Sequence, residues 1–160
     1  MISFRPVQQH EFAAFAEYFV ADYATEITLN YRLNEADALA QAKREIESSF
    51  PHQEKTAGQV LLCITHHEAG EEQHIGYLWY KPDVELKSAY ICDFYLFPTF
   101  RGQGFGSKAM KRLEERLEAD GYTQIKLRVA AENQQARHVY EANGFAVTGI
   151  NMNKLLGKRT

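Results

Sequence analysis

The segment Phe97-Pro98-Thr99-Phe100-Arg101-Gly102-Gln103-Gly104-Phe105-Gly106-Ser107 carries the densest chemical signal in the chain. Glycines stand at alternate positions, 102, 104 and 106. Glycine takes backbone conformations that other residues resist, and it has no side chain to block a ligand. Successive amide N–H groups in such a loop can point into one concavity. A strand-like run precedes the segment and a helical pattern follows it, so a helix N-terminus adds its partial positive charge. The chemistry that suits this arrangement is the binding of a pyrophosphate. A glycine turn that only joins two elements is the competing reading. Two other phosphate motifs do not fit. GxGxxG needs glycine at position 107, where Ser107 stands. The Walker pattern needs lysine and then serine or threonine after its last glycine, and neither follows Gly106 in that order.

Asp93 is a charged residue inside an apolar run, and such a residue needs a reason. Strand alternation puts it with Ile91 and Tyr95 on one face, and Cys92, Phe94 and Leu96 on the other. Cys92 has no histidine near it in sequence and reads as an inert buried thiol. His66 and His67 are adjacent, so on a strand they point to opposite faces and make a poor metal site. No Cys/His spacing suggests zinc, and no metal is expected.

The elements that must position these residues follow from periodicity. Residues 2–7 alternate as a short strand ended by Pro6. Phe12, Phe15, Ala16, Phe19, Val20 and Tyr23 repeat at helical spacing over about four turns. A second helix runs from Asn34, a plausible N-cap, to Phe50, with Leu39, Ala42 and Ile46 on its apolar side. Residues 59–67 and 73–81 form a hairpin around a polar, glycine-bearing link. Residues 89–97 form the strand that holds Asp93. A helix from Ser107 to Ala119 buries Ala109, Met110, Leu113 and Leu117. Residues 125–129 are a strand, Asn133 caps a helix ended by Asn143-Gly144, and Phe145 to Leu155 is a last strand. Residues 157–160 are an expected frayed tail. The order β-α-α-β-β-β-α-β-α-β, without repeats or linkers, predicts one mixed α/β domain over residues 1–160.

Bulk numbers agree. A chain of 160 residues with 45% hydrophobic and 24% charged residues fits a soluble domain with a sizeable core. A net charge of −3 argues against a nucleic-acid partner. No apolar run approaches membrane-spanning length, so no membrane partner is expected. The N-terminus shows no signal-peptide pattern, and two apolar-flanked cysteines suit a reducing compartment. The expected location is the cytoplasm.

Three motifs together resemble the GNAT N-acetyltransferase superfamily. Arg101-Gly102-Gln103-Gly104-Phe105-Gly106 matches its R/Q-x-x-G-x-G/A signature. Asp93 to Pro98 resembles its fourth strand. Asn133, Ala136, Tyr140 and Asn143-Gly144-Phe145 resemble its N-x-x-A-x-x-x-Y-x-x-x-G-F motif, in the right order and distance. The helices over 8–50 carry the least of the resemblance. It implies the GNAT fold: a mixed, mostly antiparallel twisted sheet of six to seven strands flanked by about four helices. It implies acetyl-CoA as acyl donor. The backbone of Arg101, Gly102, Gln103, Gly104, Phe105, Gly106 and Ser107 would hold the pyrophosphate. Phe94, Tyr95 and Leu96 would bond the pantetheine arm through main chain, and Asn133 would contact it. Tyr140 would meet the cofactor and protonate the departing thiolate. Asn133 as a plain N-cap and Tyr140 as a core aromatic are the alternatives.

The acceptor side rests on Asp93, which suits an ammonium binder or a base. An exposed or salt-bridged position is its bland alternative. Glu26 and Tyr23 are further candidates for the acceptor pocket, against a solvated helix end. Ile91 to Leu96 also resembles the polyamine acetyltransferase branch, but that branch has glutamate where this chain has Cys92. Lys108, Lys111 and Arg112 are candidates for the CoA 3′-phosphate or plain helix surface. The expected activity is acetyl transfer from acetyl-CoA to a primary amine, polyamine-like by preference, by direct attack in a ternary complex. An acyl-CoA sensor without turnover and a peptide N-terminal acetyltransferase are the rivals. A homodimer is left open.

Overall fold

The computed structural model describes residues 1–157; Lys158, Arg159 and Thr160 of the expected frayed tail lie outside the described residues. Five strands form one sheet in the order β1 (Ile2–Pro6), β2 (Val60–Glu68), β3 (Glu71–Asp83), β4 (Ser88–Leu96) and β5 (Gln124–Leu127). Each of the first four is antiparallel to its neighbour, and β5 runs parallel to β4. Two helices, α1 (Gln9–Tyr31) and α2 (Glu35–Ser49), follow β1. Helix α3 (Phe105–Ala119) is the crossover from β4 to β5, and α4 (Gln134–Ala142) follows β5. This is the mixed α/β architecture and, up to α4, the element order read from the sequence.

Local chemistry sets the boundaries. Gln8 and Glu11 close α1 with a reciprocal capping box. The helix runs well past Tyr23, because Ile27 is fully buried and packs with Ala38 and Ala42 of α2. It stops at Arg32, which adopts a left-handed conformation. Asn34 caps α2 by accepting the Asp37 amide at 2.8 Å. The buried side of α2 is Ala38, Ala42 and Ile46. Leu39, expected there, is exposed, one residue off the buried stripe. The β2–β3 hairpin turns on Ala69 and Gly70, both at positive φ, the two-residue geometry whose twist matches the flanking strands.

The sheet divides two cores. On one face, α3 lays Ala109, Met110, Leu113 and Leu117 against Leu62, Ile64, Ile75, Leu78 and Ile91. On the other, α1 and α2 enclose an aromatic cluster of Phe15, Phe19, Phe50, Tyr77 and Trp79.

One expected element is missing. The segment from Phe145 to Leu155 forms no strand, so the described residues hold five strands rather than six to seven. A patterned segment becomes a strand only by hydrogen-bonding to an edge, and this one joins no ladder of the sheet. Val147, Ile150 and Met152 are left exposed.

Candidate active site

The site grows from a break in β4. Strands β3 and β4 pair Trp79 with Asp93 and then Tyr80 with Ile91, so Cys92 is the extra residue of a β-bulge. The bulge re-aims the strand. Ile91 packs in the α3-side core with Phe94 and Leu96, whereas Cys92 and Tyr95 pack in the aromatic cluster. Asp93 meets Tyr18 of α1, on that aromatic side. Simple alternation, which grouped Ile91 with Asp93 and Cys92 with Phe94, fails at this one residue.

The same point marks a parting of strands. β5 accompanies β4 from Ser88 to Ile91 and no further. From Cys92 to Leu96, β4 keeps β3 on one side and has no strand ladder on the other. Gly76 lets this half of β4 sit close on β3, since a methyl there would collide with the Tyr95 carbonyl. From Phe94 to Leu96 the outer edge of β4 thus has no strand partner among the described residues, and its Leu96 carbonyl is taken by the Arg101 side chain.

The glycine loop sits at the end of that edge. Gly102 and Gly104 have φ of 76° and 82°, and no heavy atom lies within 4 Å of a Cβ built on either. Gly104 is the N-cap of α3, and the first bond back to it comes from Lys108. The amides of Phe105, Gly106 and Ser107 therefore begin the helix without an intrahelical acceptor. Side chains are folded out of the loop mouth. Arg101 donates from Nε to the Leu96 carbonyl at 2.9 Å and lies over the Tyr95 ring, and Gln103 donates to the Thr99 carbonyl at 3.0 Å. What remains is a rim of amides at the positive end of a helix, which fits the pyrophosphate of acetyl-CoA.

Asp93 lies beside this edge. Most of its surface is covered, and burial is the main cause that pushes its carboxyl up to about 8. The Tyr18 hydroxyl donates to it, 2.9 Å from both Oδ1 and Oδ2, and opposes that rise. Asp22 and Glu26 add to the rise through like charge. Tyr18, Asp22 and Glu26 are spaced four residues apart, one stripe of α1. Burial raises Asp22 as well, and the Arg101 charge counters it. Glu26 accepts from Arg128 at 3.2 Å. Tyr23 points elsewhere, into the packing between α1 and α2, with its ring 5.4 Å from that of Phe19. Tyr18 and Asp22 were not legible as site residues. Their only sequence signal is the four-residue spacing that ends at Glu26.

Tyr140 approaches from α4. It packs against the α3-side core and edge-on to Phe145 at 5.5 Å. Burial first, and the Asp93 charge second, push its hydroxyl up to about 12, which puts the two groups within electrostatic range. Asn133 caps α4 by accepting the Ala136 amide at 3.1 Å, and its side chain is otherwise exposed. Asn143 donates to Ser107 Oγ at 3.2 Å and ties α4 to the start of α3. Lys108, Lys111 and Arg112 instead line a groove with Met1, Ile2 and His66, on the β1 side of α3. Burial pushes the Cys92 thiol up to about 11, which leaves it a poor nucleophile near neutral pH. Glu11, Cys63 and His74 bring donor atoms together. Arg5, however, holds both Glu11 oxygens at 2.8 and 2.9 Å, so the cluster is an ion pair with a thiol donor.

Relatives carry the same architecture. The acetyltransferase (GNAT) family model matches residues 27–145. The N-acetyltransferase YycN of Bacillus subtilis is 29% identical over 157 residues, 97% of this chain and 99% of that protein. Its crystal structure superposes with a TM-score of 0.90 over 99% of this chain and all of that one. YdgE of the same organism is 29% identical over 92% of this chain and 94% of its own. Spermidine N-acetyltransferase of Vibrio cholerae, solved with CoA and spermine, shares the fold at 17% identity and a TM-score of 0.65, over 92% of this chain and 82% of that one. The chain belongs to the GNAT acetyltransferase family, and it is an acetyl-CoA-dependent N-acetyltransferase.

Proposed function

We propose that residues 1–160 act as one catalytic domain that acetylates a small primary amine, polyamine-like by preference. The observation that carries this is the Asp93 carboxyl, set beside the open edge of β4 under the acidic stripe of α1. Acetyl-CoA supplies the acyl group. The main chain of Phe94, Tyr95 and Leu96 holds its arm, and the amides from Gly102 to Ser107 hold its pyrophosphate, with Arg101 framing the loop from behind. Asn133 orders the approach of α4 and lies near enough in sequence to Tyr140 to share the cofactor.

Asp93 binds the acceptor ammonium and takes the proton that the amine must lose before it attacks. An alkyl ammonium has a reference pKa of about 10.4. A carboxyl at about 8 is a far better match for that proton than one near 4. Tyr140 returns a proton to the leaving sulfur. Its hydroxyl at about 12 looks high against an ordinary thiol near 8.5. A thiolate leaving between packed side chains is raised too, as Cys92 at about 11 illustrates. Asp22 and Glu26 stand about 6 Å apart along α1, one helical turn. That spacing suits an acceptor with a second cationic nitrogen, and Tyr23 backs this wall from the α2 side.

A panel of amines, with free-thiol release from acetyl-CoA as readout, tests the proposal. Turnover with diamines and polyamines above monoamines of equal length is the expected result. Thiol release only with peptides would replace the small-amine reading. Acetyl-CoA binding without release across the panel would make the chain a sensor.

A further inference from the structure

Asp93 stands just past the bulge at Cys92, opposite Trp79 and on the face of Tyr95, so its side chain leaves the sheet toward α1. One residue of α1, 75 positions away in sequence, meets both of its oxygens. We propose that Tyr18 is a positioning residue, which holds the Asp93 carboxylate toward the acceptor side and keeps it able to ionise. This rests on the reading of Asp93 as the group that binds and deprotonates the amine.

The hydroxyl is itself held. The Tyr18 ring lies 3.9 Å from the Tyr95 ring centroid and stacks on Tyr77 at 5.6 Å. Both partners stand on the strands that carry the site, β3 and β4, so Tyr18 fixes α1 to the sheet at the height of Asp93. Its single proton lies between the two carboxylate oxygens. The outward lone pairs of both oxygens remain for an ammonium.

The charges around Asp93 make this bond matter. From α1, Asp22 and Glu26 oppose its ionisation. From α4, the Tyr140 hydroxyl feels the Asp93 charge, and on β4 itself so does the Cys92 thiol. The cations nearby attend other groups: Arg101 faces Asp22, and Arg128 bonds Glu26. Among the described residues Tyr18 is the group that favours the ionised carboxylate.

Tyr18→Phe keeps the ring and its stacking and removes only the hydroxyl. Aspartate carboxyl carbons labelled with 13C can be titrated by NMR in the parent and the variant, without any acceptor. Asp93 should titrate near 8 in the parent. In Tyr18→Phe its midpoint should move up by about one to two pH units, the worth of one hydrogen bond to a charged group. Unchanged acetyl-CoA affinity in the variant shows that the fold survives. With spermidine as acceptor, the acid limb of kcat/KM should move by the same amount, with rate recovered at higher pH. An Asp93 midpoint that stays in place in a folded variant overturns the proposal and reduces Tyr18 to packing. Full turnover of Asp93→Asn, alongside a shifted midpoint, instead overturns the reading of Asp93 and leaves the Tyr18 bond standing.

Discussion

The two halves of the proposed site are made of different material. The cofactor half is main chain: the free edge of β4 and the amides around Gly102 and Gly104. The proposed acceptor half is side chain: Asp93 from β4 with Tyr18, Asp22 and Glu26 from α1, and Tyr140 from α4 stands where the two halves meet. A backbone cradle needs glycines at fixed spacing, so it leaves a contiguous mark in the sequence. A side-chain pocket needs only that distant elements meet, and it leaves none. The cofactor is accordingly easier to name than the amine.

The largest effect that would sharpen this contrast is at Tyr140. Tyr140→Phe should lower kcat about 10²- to 10⁴-fold, the usual range for a general acid, with acetyl-CoA affinity unchanged. Parent-like turnover would remove Tyr140 from the proton transfer to the leaving sulfur and make it core packing.

Next is the pH dependence of stability. The folded Asp93 carboxyl sits at about 8, above an unfolded value near 4. Its contribution to stability is therefore full below about pH 4 and lost as pH rises through 8. Between those limits the slope is about 1.4 kcal/mol per pH unit, since the folded state holds one proton more. Asp93→Asn should flatten urea midpoints measured from pH 5 to 8. Glu11 works in the opposite sense: Arg5 holds it down at about 2, so its contribution is lost as pH falls below about 4.

The cofactor half should answer to backbone changes and ignore side-chain ones. Gly104→Val forces a β-branched residue to a φ of 82° and fills the open space above the loop. It should weaken acetyl-CoA binding at least tenfold, about 1.4 kcal/mol, in calorimetry. Gln103→Ala, in the same loop, should change that affinity by less than about threefold, below 1 kcal/mol. Equal losses in the two variants would break the contrast between the halves.

How much was legible follows the same line. The order of elements up to α4 is legible from periodicity together with the proline, glycine and asparagine residues that end each element, and the buried stripe of α3 from periodicity, because a helix that buries one face must repeat. The N-caps Asn34 and Asn133 were legible because a cap acts on an amide only a few residues away. Tyr18 was invisible because its partner is 75 residues distant. The facing of Ile91 and Cys92 was misread because a bulge has no composition signature here. The segment from Phe145 to Leu155 resists reading because a strand exists only where it pairs, and this one joins no ladder of the sheet.

The bulge at Cys92 turns two successive residues, Cys92 and Asp93, toward α1 on one face of a single strand. Exchange of Cys92 for another small residue leaves the ladder in place. Its deletion leaves Trp79–Asp93 and Tyr80–Ile91 as successive pairs, so Asp93 keeps the Tyr18 side and only the bend of the strand is lost. Most of the core would still be filled, and the glycine loop would still be intact. Such a chain should fold, bind acetyl-CoA and keep Tyr18 on Asp93, so any loss of amine turnover would measure the bend of β4 alone.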